Sequence, residues 1–135
     1  MSTQITTSPK VYIGLDIHKK TWTVSIQTDL FFHKTYSMPS KSSDLEEYVN
    51  KNFHNHEVYL VYEAGCCGFS VARYFLNLAW NVLVVNPADV KTGNKERYQK
   101  TDALDAKNLS NQLKSGTLKG INIPTEAEDL LNSEN

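Results

Sequence analysis

Four acidic residues stand where folding could bring carboxylates together. Asp16 ends the apolar run VYIGLD, and Glu63 ends the run EVYLVYE. Asp102 and Asp105 open TDALDAKNLSNQLKSG, a segment with helical spacing. Carboxylate oxygens are hard ligands that suit Mg²⁺ or Mn²⁺, and pairs of such ions serve phosphoryl transfer. The residue types therefore predict a metal-dependent catalytic site built from all four acids.

The two helical acids are informative because of the residues that share their face. Asp102 and Asp105 fall in roughly the same sector as Ala106, Leu109 and Leu113. The face that docks on a sheet thus begins with two acids, and buried carboxylates cost free energy unless they are neutralised. Taken singly, Asp102 also suits a helix cap and Asp105 a first-turn acid favoured by the helix dipole. The convergence of four acids favours the functional interpretation.

Three strand-like runs precede the first helical segment. They are VYIGLD, TWTVSIQT and LFFHKTYSM, which are rich in β-branched and aromatic residues and predict an antiparallel meander. Ser42 and Ser43 precede DLEEYVNKNF and predict a capped amphipathic helix. The apolar residues on one face of this helix are Leu45, Tyr48, Val49 and Phe53.

The second half of the chain alternates between strands and helices. EVYLVYE and NVLVVNP are continuous apolar runs typical of buried strands, and FSVARYFLNLAW between them has helical spacing. The last helix is expected to begin at Thr101 or Asp102 and to stop at Gly116. Strands joined through helices need right-handed crossovers, so the later strands should lie parallel to the first. The sequence predicts an α/β sandwich with one mixed sheet and helices on both faces.

Size and composition fit one compact domain. The chain has 135 residues, of which 40% are hydrophobic. No run approaches the ~18 apolar residues of a membrane span, and the first residues lack the apolar stretch of a signal peptide, so a cytoplasmic location is expected. Cys66 and Cys67 are adjacent and make a poor disulfide and a poor zinc site.

The charge distribution adds a candidate nucleic-acid contact. The formal net charge is -1 and the pI is about 6.4, which does not mark the whole chain as a nucleic-acid binder. Locally, KTGNKERYQK holds four basic residues, one acid and a tyrosine. Such a segment can neutralise phosphates and offer a stacking surface, although most charge runs are solvated loops. The basic residues are Lys91, Lys95, Arg97 and Lys100.

Three spaced motifs together resemble the DEDD-type insertion-sequence transposases. The motifs are GLDIHKKTWTV, then YEAGCCGFSVARYFL, then VVNPADVK followed by KTDALDAKNL. The similarity runs from about Tyr12 to Leu131. It implies an RNase H-like, RuvC-like fold, dependence on Mg²⁺ or Mn²⁺, and cleavage and rejoining of DNA strands at insertion-sequence ends.

The resemblance also assigns roles to individual positions. The metal-binding quartet it implies is Asp16, Glu63, Asp102 and Asp105. Lys100 and Thr101 complete a KTD motif, which implies contact with phosphate or a helix cap.

Partners and domain limits follow from the same resemblance. It implies binding to DNA and to a structured guide RNA, and assembly into a dimer or larger homo-oligomer, without a membrane partner. We expect a loose leader over 1–10, the RuvC-like catalytic domain over 11–123, and a polar tail or the start of a linker over 124–135. Family members continue into a second domain that supplies a serine nucleophile, so this chain alone is expected not to recombine DNA.

Alternative interpretations stay open at this point. A stand-alone RuvC-like nuclease or junction resolvase would share the fold, as would a non-catalytic nucleic-acid-binding relic. A nucleotide-binding domain of the actin and sugar-kinase type needs glycine-rich phosphate hairpins, which IHKKTWT does not supply. His18 is a candidate for an outer contact of the site, whereas His54 and His56 fit a solvated turn better than a metal site.

Overall fold

One mixed sheet with three helices makes up the part of the chain that the computed structural model describes. That part comprises residues 8–65, 68–87, 102–121 and 123, with the backbone alone described for 102–104. The strands are β1 (Lys10–Ile17), β2 (Thr21–Thr28), β3 (Phe32–Pro39), β4 (Glu57–Glu63) and β5 (Asn81–Val85). The helices are α1 (Ser42–Asn52), α2 (Ser70–Leu76) and α3 (Asp102–Ser115). Within the described residues, no helix combines the length and apolar character needed to cross a membrane.

The strand order in the sheet is β3-β2-β1-β4-β5. β1 pairs antiparallel with β2, and β2 antiparallel with β3, as the short connections predict. β4 pairs parallel with β1, and β5 parallel with β4. This arrangement confirms the predicted mixed α/β sheet and has the topology of an RNase H-like fold.

The first strand begins earlier than the polar composition of the N-terminal segment indicates. Lys10 already pairs with Glu57 of β4, and the Pro9 carbonyl accepts a hydrogen bond from the Glu57 N–H at 2.8 Å. Parallel pairing with β4 therefore orders Lys10, which the expected leader over 1–10 included. Residues 1–7 lie outside the described residues.

The first helix lacks the serine cap that its sequence suggests. Its N-cap is Lys41, whose backbone is extended and whose side chain makes no capping hydrogen bond. A lysine ammonium has only donors and cannot accept from a helix N–H. Ser42 and Ser43 lie inside the first turn, so the predicted cap is wrong. The predicted apolar face is confirmed, with Leu45 and Val49 buried against the sheet.

The second helix is shorter than its apolar spacing predicts. It ends at Leu76, and Ala79 adopts a left-handed conformation at φ 67°. This reversal stacks the Trp80 ring on Phe75 with their centres 4.5 Å apart. Tyr62 of β4 anchors the helix, since its hydroxyl accepts a hydrogen bond from the Ala72 N–H at 3.2 Å.

Side-chain alternation divides the core between the two faces of the sheet. One face packs against α1 and α2 and holds the larger apolar cluster. The other face carries α3, with a smaller apolar cluster of Val61, Val85 and Leu109. In β2 the division is visible in the sequence, because Trp22, Val24 and Ile26 join the larger cluster while the residues between them are polar.

Candidate active site

Asp16 and Glu63 are brought to one edge of the sheet by parallel pairing. Leu15 stands beside Tyr62 in the register of β1 and β4. The next residue of each strand is Asp16 and Glu63 respectively, and alternate residues of a strand face the same side. Both carboxylates therefore belong to the face that α3 covers, at the carboxyl ends of two neighbouring parallel strands. Open α/β sheets place their ligands at such ends.

The strand end at Glu63 is held by the neighbouring strand. The N–H of Ala64 donates a hydrogen bond to the Val85 carbonyl at 2.8 Å, which continues the β4–β5 pairing one step past Glu63. The backbone that carries the carboxylate is thus fixed on its β5 side.

The third acid is positioned by a close contact between α3 and β1 at Gly14. A Cβ added at Gly14 would overlap the Ala106 carbonyl oxygen and lie 2.7 Å from the Ser110 nitrogen. Only a residue without a side chain allows the helix backbone to lie this near the strand. The contact sets the height of Asp105, the neighbour of Ala106, above the end of β1.

Three of the four predicted acids line one cavity of about 180 Å³. Asp16, Glu63 and Asp105 each come from a different element, and all three are partly buried. The cavity is completed by Leu15, Ile17, Ala64, Gly65 and Leu109. Like charges gathered in a partly desolvated space repel one another, and a cation relieves that repulsion. The arrangement is suited to binding positive charge.

His18 contacts the site through Asp16. Its Nε2 atom lies 3.3 Å from the Asp16 Oδ2 atom, and its backbone N–H donates to the Thr21 carbonyl at 3.0 Å in the β1–β2 turn. The imidazole is about half exposed, with 49% of its surface open to solvent. The structure therefore places His18 as an outer neighbour of the carboxylate, as its position in the sequence suggested.

A buried polar network that sequence reasoning missed ties α3 to β2. The Gln27 amide donates to the Ser110 hydroxyl at 2.9 Å and to the Asn111 side chain at 2.6 Å. Ser110 also contacts the Ser25 hydroxyl at 3.4 Å, and both serines are fully buried. The signal was available: Ser25 and Gln27 alternate with apolar residues in β2, so one face of that strand had to receive polar partners.

Part of the predicted site lies outside the described residues. Asp102 begins α3, one turn before Asp105, but its side chain is not among those described. The predicted nucleic-acid contacts also fall outside the described residues: Lys91, Lys95, Arg97, Lys100 and Thr101. The roles of these six residues remain predictions.

The donor set fits a hard divalent cation. Carboxylate oxygens are the ligands that Mg²⁺ and Mn²⁺ prefer, and Mg²⁺ keeps several waters when one or two carboxylates bind it. Among the described residues, no three acids, histidines or cysteines are gathered closely enough to enclose one ion. The three carboxylates thus line an open acidic cavity rather than a closed cage. His54 and His56 precede β4, at its opposite end from Glu63.

Comparisons with known proteins indicate the family to which this chain is similar. A family model described as a transposase, of the IS110-type DEDD group, matches residues 13–133, a range that includes all four acids. A curated relative is the transposase for insertion sequence element IS1533 from Leptospira borgpetersenii, 28% identical over 109 residues. That similarity covers 78% of this chain and 31% of the relative, so the chain spans just under a third of the relative's length.

Proposed function

The chain belongs to the IS110-type DEDD transposase family, and on that premise we propose that it is the metal-dependent catalytic part of a DNA transposase. The proposed activity is cleavage and rejoining of DNA strands at insertion-sequence ends. The observation that carries the proposal is the convergence of Asp16, Glu63 and Asp105 on one cavity from three separate elements. A set of acids with only structural roles would have no reason to share a cavity.

Backbone contacts position the elements that carry the proposed ligands. Backbone pairing fixes the strand ends that carry Asp16 and Glu63. The contact at Gly14 fixes the helix that carries Asp105, and we propose Asp102 as the fourth ligand from the same helix. Bound Mg²⁺ or Mn²⁺ would polarise the scissile phosphate and stabilise the attacking and leaving oxygens. The carboxylates would hold the metal ions in place before the DNA binds.

The basic segment before α3 is proposed to hold the DNA backbone. In the sequence it joins β5 to α3, and the carboxyl end of β5 adjoins that of β4, which carries Glu63. Its cations would neutralise phosphates, so binding should weaken as salt rises. The proposed contacts are Lys91, Lys95, Arg97, Lys100 and Thr101.

The whole recombination reaction is proposed to need more than these carboxylates. The IS1533 transposase is about three times as long as the stretch that this chain matches. We propose that a serine nucleophile from a second domain, a structured guide RNA and a homo-oligomer complete the reaction. The 135-residue chain should therefore bind metal without recombining DNA by itself. Cleavage of a branched DNA by this chain alone in Mg²⁺ would favour a stand-alone junction resolvase instead.

Calorimetric titration with Mn²⁺ tests the proposal. Asp16→Asn, Glu63→Gln and Asp105→Asn should each weaken binding about tenfold or more, because each removes a charged ligand. Glu57→Gln is the matched control, since Glu57 begins the strand that Glu63 ends, and it should bind within about twofold of the parent. An Asp102→Ala/Asp105→Ala variant that binds Mn²⁺ as the parent does would contradict the proposed site.

The same variants have a second readout in thermal unfolding. Mn²⁺ should raise the unfolding midpoint of the parent more than that of Asp105→Asn, because tighter binding stabilises the folded state more. The midpoints of both proteins in EDTA give the baselines. An equal rise in both would contradict the assignment of Asp105 as a ligand.

A further inference from the structure

The β2–β3 hairpin exposes three consecutive apolar side chains. Leu30, Phe31 and Phe32 are 90%, 53% and 45% exposed. They occupy the turn and the first residue of β3, an edge strand of the sheet. Single exposed apolar residues are ordinary, but a contiguous group rimmed by polar residues marks an interaction site. We call residues 29–34 the hairpin corner.

Two lysines of α3 lie beside the hairpin corner. The Lys107 ammonium of α3 lies 4.8 Å from the centre of the Phe32 ring. The Lys114 ammonium donates to the Asp29 carbonyl oxygen at 3.4 Å. Lys34 does not join them, because its ammonium lies 4.8 Å from the centre of the Tyr36 ring on the α1 side of the sheet. A cation held over a ring is attracted by the ring's negative face, which fixes its position before a ligand binds. The corner therefore combines open aromatic surface with placed positive charge.

Little negative charge opposes these lysines. Asp29 is the only acid between residues 28 and 43, and its carboxylate accepts a hydrogen bond from the Tyr12 hydroxyl at 3.0 Å. Along α3, the acids lie in the first turn and the segment from Ala106 to Ser115 contains two lysines and no acid. The first turn of α3 thus supplies acidic residues beside the cavity, and the rest of the helix supplies lysines beside the hairpin corner.

We propose that the hairpin corner binds single-stranded DNA, with bases stacking on Phe31 and Phe32 and phosphates contacting Lys107 and Lys114. Aromatic platforms beside cations bind unpaired strands in this way, because every base offers a π-face and every nucleotide a phosphate. A protein partner fits the corner less well, since lysines are depleted from protein interfaces. That the strand is DNA rests on the proposed function.

The corner lies at the opposite end of the sheet from the acidic cavity. Val11 pairs with Thr28 beside the corner, whereas Asp16 pairs with Thr23 at the cavity. Five steps along β1 separate these pairs, which corresponds to about 17 Å. The bound strand is therefore a segment of the substrate outside the position of cleavage, and its binding does not need the metal.

Fluorescence anisotropy with a dye-labelled oligothymidine of about 20 nucleotides, at low salt and in EDTA, tests this proposal. The Phe31→Ser/Phe32→Ser variant should bind about tenfold more weakly or worse than the parent. Leu76→Ser is the matched control, because Leu76 is 42% exposed on α2 and should leave affinity unchanged. Because the assay is run in EDTA, a failure of the metal site would not be mistaken for a failure of this surface.

The contribution of charge is measured separately. Lys107→Gln should weaken binding about two- to fivefold and lower the salt dependence of the affinity, since one phosphate contact is lost. Lys51→Gln, an exposed lysine in the last turn of α1, should change neither quantity. If the double phenylalanine variant fails to unfold cooperatively on heating, the comparison of these two lysine variants decides the question.

Three results would overturn the proposal. The first is equal affinity of the Phe31→Ser/Phe32→Ser and Leu76→Ser variants for the oligothymidine. The second is about tenfold tighter binding of an RNA of the same length and base composition, which would assign the corner to RNA. The third is loss of self-association in the double variant with unchanged DNA affinity, measured by light scattering, which would assign the corner to a second copy of the chain.

Discussion

The two faces of the sheet are covered by different kinds of contact. Against one face, α1 and α2 pack through large buried side chains such as Leu45 and Phe75. Against the other, α3 lies with its backbone on Gly14 and is tied to β2 by hydrogen bonds through Gln27. Apolar packing tolerates small shifts, whereas backbone contact and directional hydrogen bonds do not. Contacts on the α3 face therefore set the position of this helix relative to the strands, and the face of α1 and α2 supplies most of the buried apolar surface.

The placement of the acids follows this division. Asp16, Glu63 and Asp105 all lie on the α3 face, where the contact at Gly14 and the hydrogen bonds of Gln27 hold the helix against the strands. A site on that face is held by the contacts at Gly14 and Gln27 rather than by the main core. Substitutions on the face of α1 and α2 should accordingly lower stability alone, whereas substitutions on the α3 face should also lower metal affinity.

The largest loss of stability is expected from the apolar face. Phe75→Ala removes a fully buried ring that stacks on Trp80 and should cost about 4 kcal/mol of unfolding free energy. Leu76→Ala, at the neighbouring exposed position, should change it by less than about 0.5 kcal/mol. Urea denaturation measures both. The folded fraction of Phe75→Ala should keep the parent's Mn²⁺ affinity, and a large loss would show that the two faces are not separable.

Gly14→Ala should act on stability and metal affinity together. Its Cβ would overlap the Ala106 carbonyl oxygen, forcing α3 away from β1 at a cost of about 3 kcal/mol. Asp105 would move with the helix, so Mn²⁺ affinity should also fall. Gly65→Ala is the control for the loss of stability alone, since its nearest contact would be the Glu63 carbonyl at 3.9 Å and the residue itself lines the cavity. Parent-like affinity in Gly14→Ala would mean that the height of α3 does not position Asp105.

A smaller effect is expected from the polar network. Gln27→Leu removes the donor that Ser110 and Asn111 share, and should cost about 2 kcal/mol because buried polar groups lose a partner. Ser43→Ala, on the exposed side of α1, serves as the control. Urea denaturation gives the stability, and Mn²⁺ titration should show a weaker loss than Gly14→Ala causes. Unchanged stability would show that this network does not hold α3 against β2.

The smallest effect is expected in the pH dependence of stability, through His33 on the apolar face. Burial, with the neighbouring Lys34, lowers the pKa of His33 below its ordinary value of 6.5. The unfolded chain therefore takes up this proton at a higher pH than the folded chain. The stability that neutral His33 contributes is present above about pH 6.5 and is lost as pH falls through the lower pKa of the folded state.

Substitution of His33 should reduce this acid sensitivity. Between about pH 7.5 and 5, the urea midpoint should fall less in His33→Gln than in the parent. His54→Gln, at an exposed turn position, should fall as the parent does. A steeper fall in His33→Gln would show that protonation of His33 stabilises the folded state, which is the opposite of this prediction.

Several features of the molecule are determined by the sequence alone. Alternating and continuous apolar runs predict the five strands, because a strand's burial pattern follows from the two-residue repeat of its side chains. Short connections predict antiparallel pairing, and helical connections predict parallel pairing. Since Asp16 is the penultimate residue of β1 and Glu63 is the last residue of β4, their meeting at one sheet edge also follows from local sequence and topology.

Other features depend on contacts between residues far apart in the chain. The need for glycine at Gly14 arises only because α3 crosses β1 there, and the partners of Gln27 lie more than 80 residues away. The N-cap of α1 at Lys41, rather than at Ser42 or Ser43, shows that a serine near a helix start caps the helix only when the chain enters at the right angle. The contact of Lys107 with Phe32 likewise depends on where α3 crosses the sheet. Such contacts are set by packing free energy summed over the whole domain, which no local pattern carries.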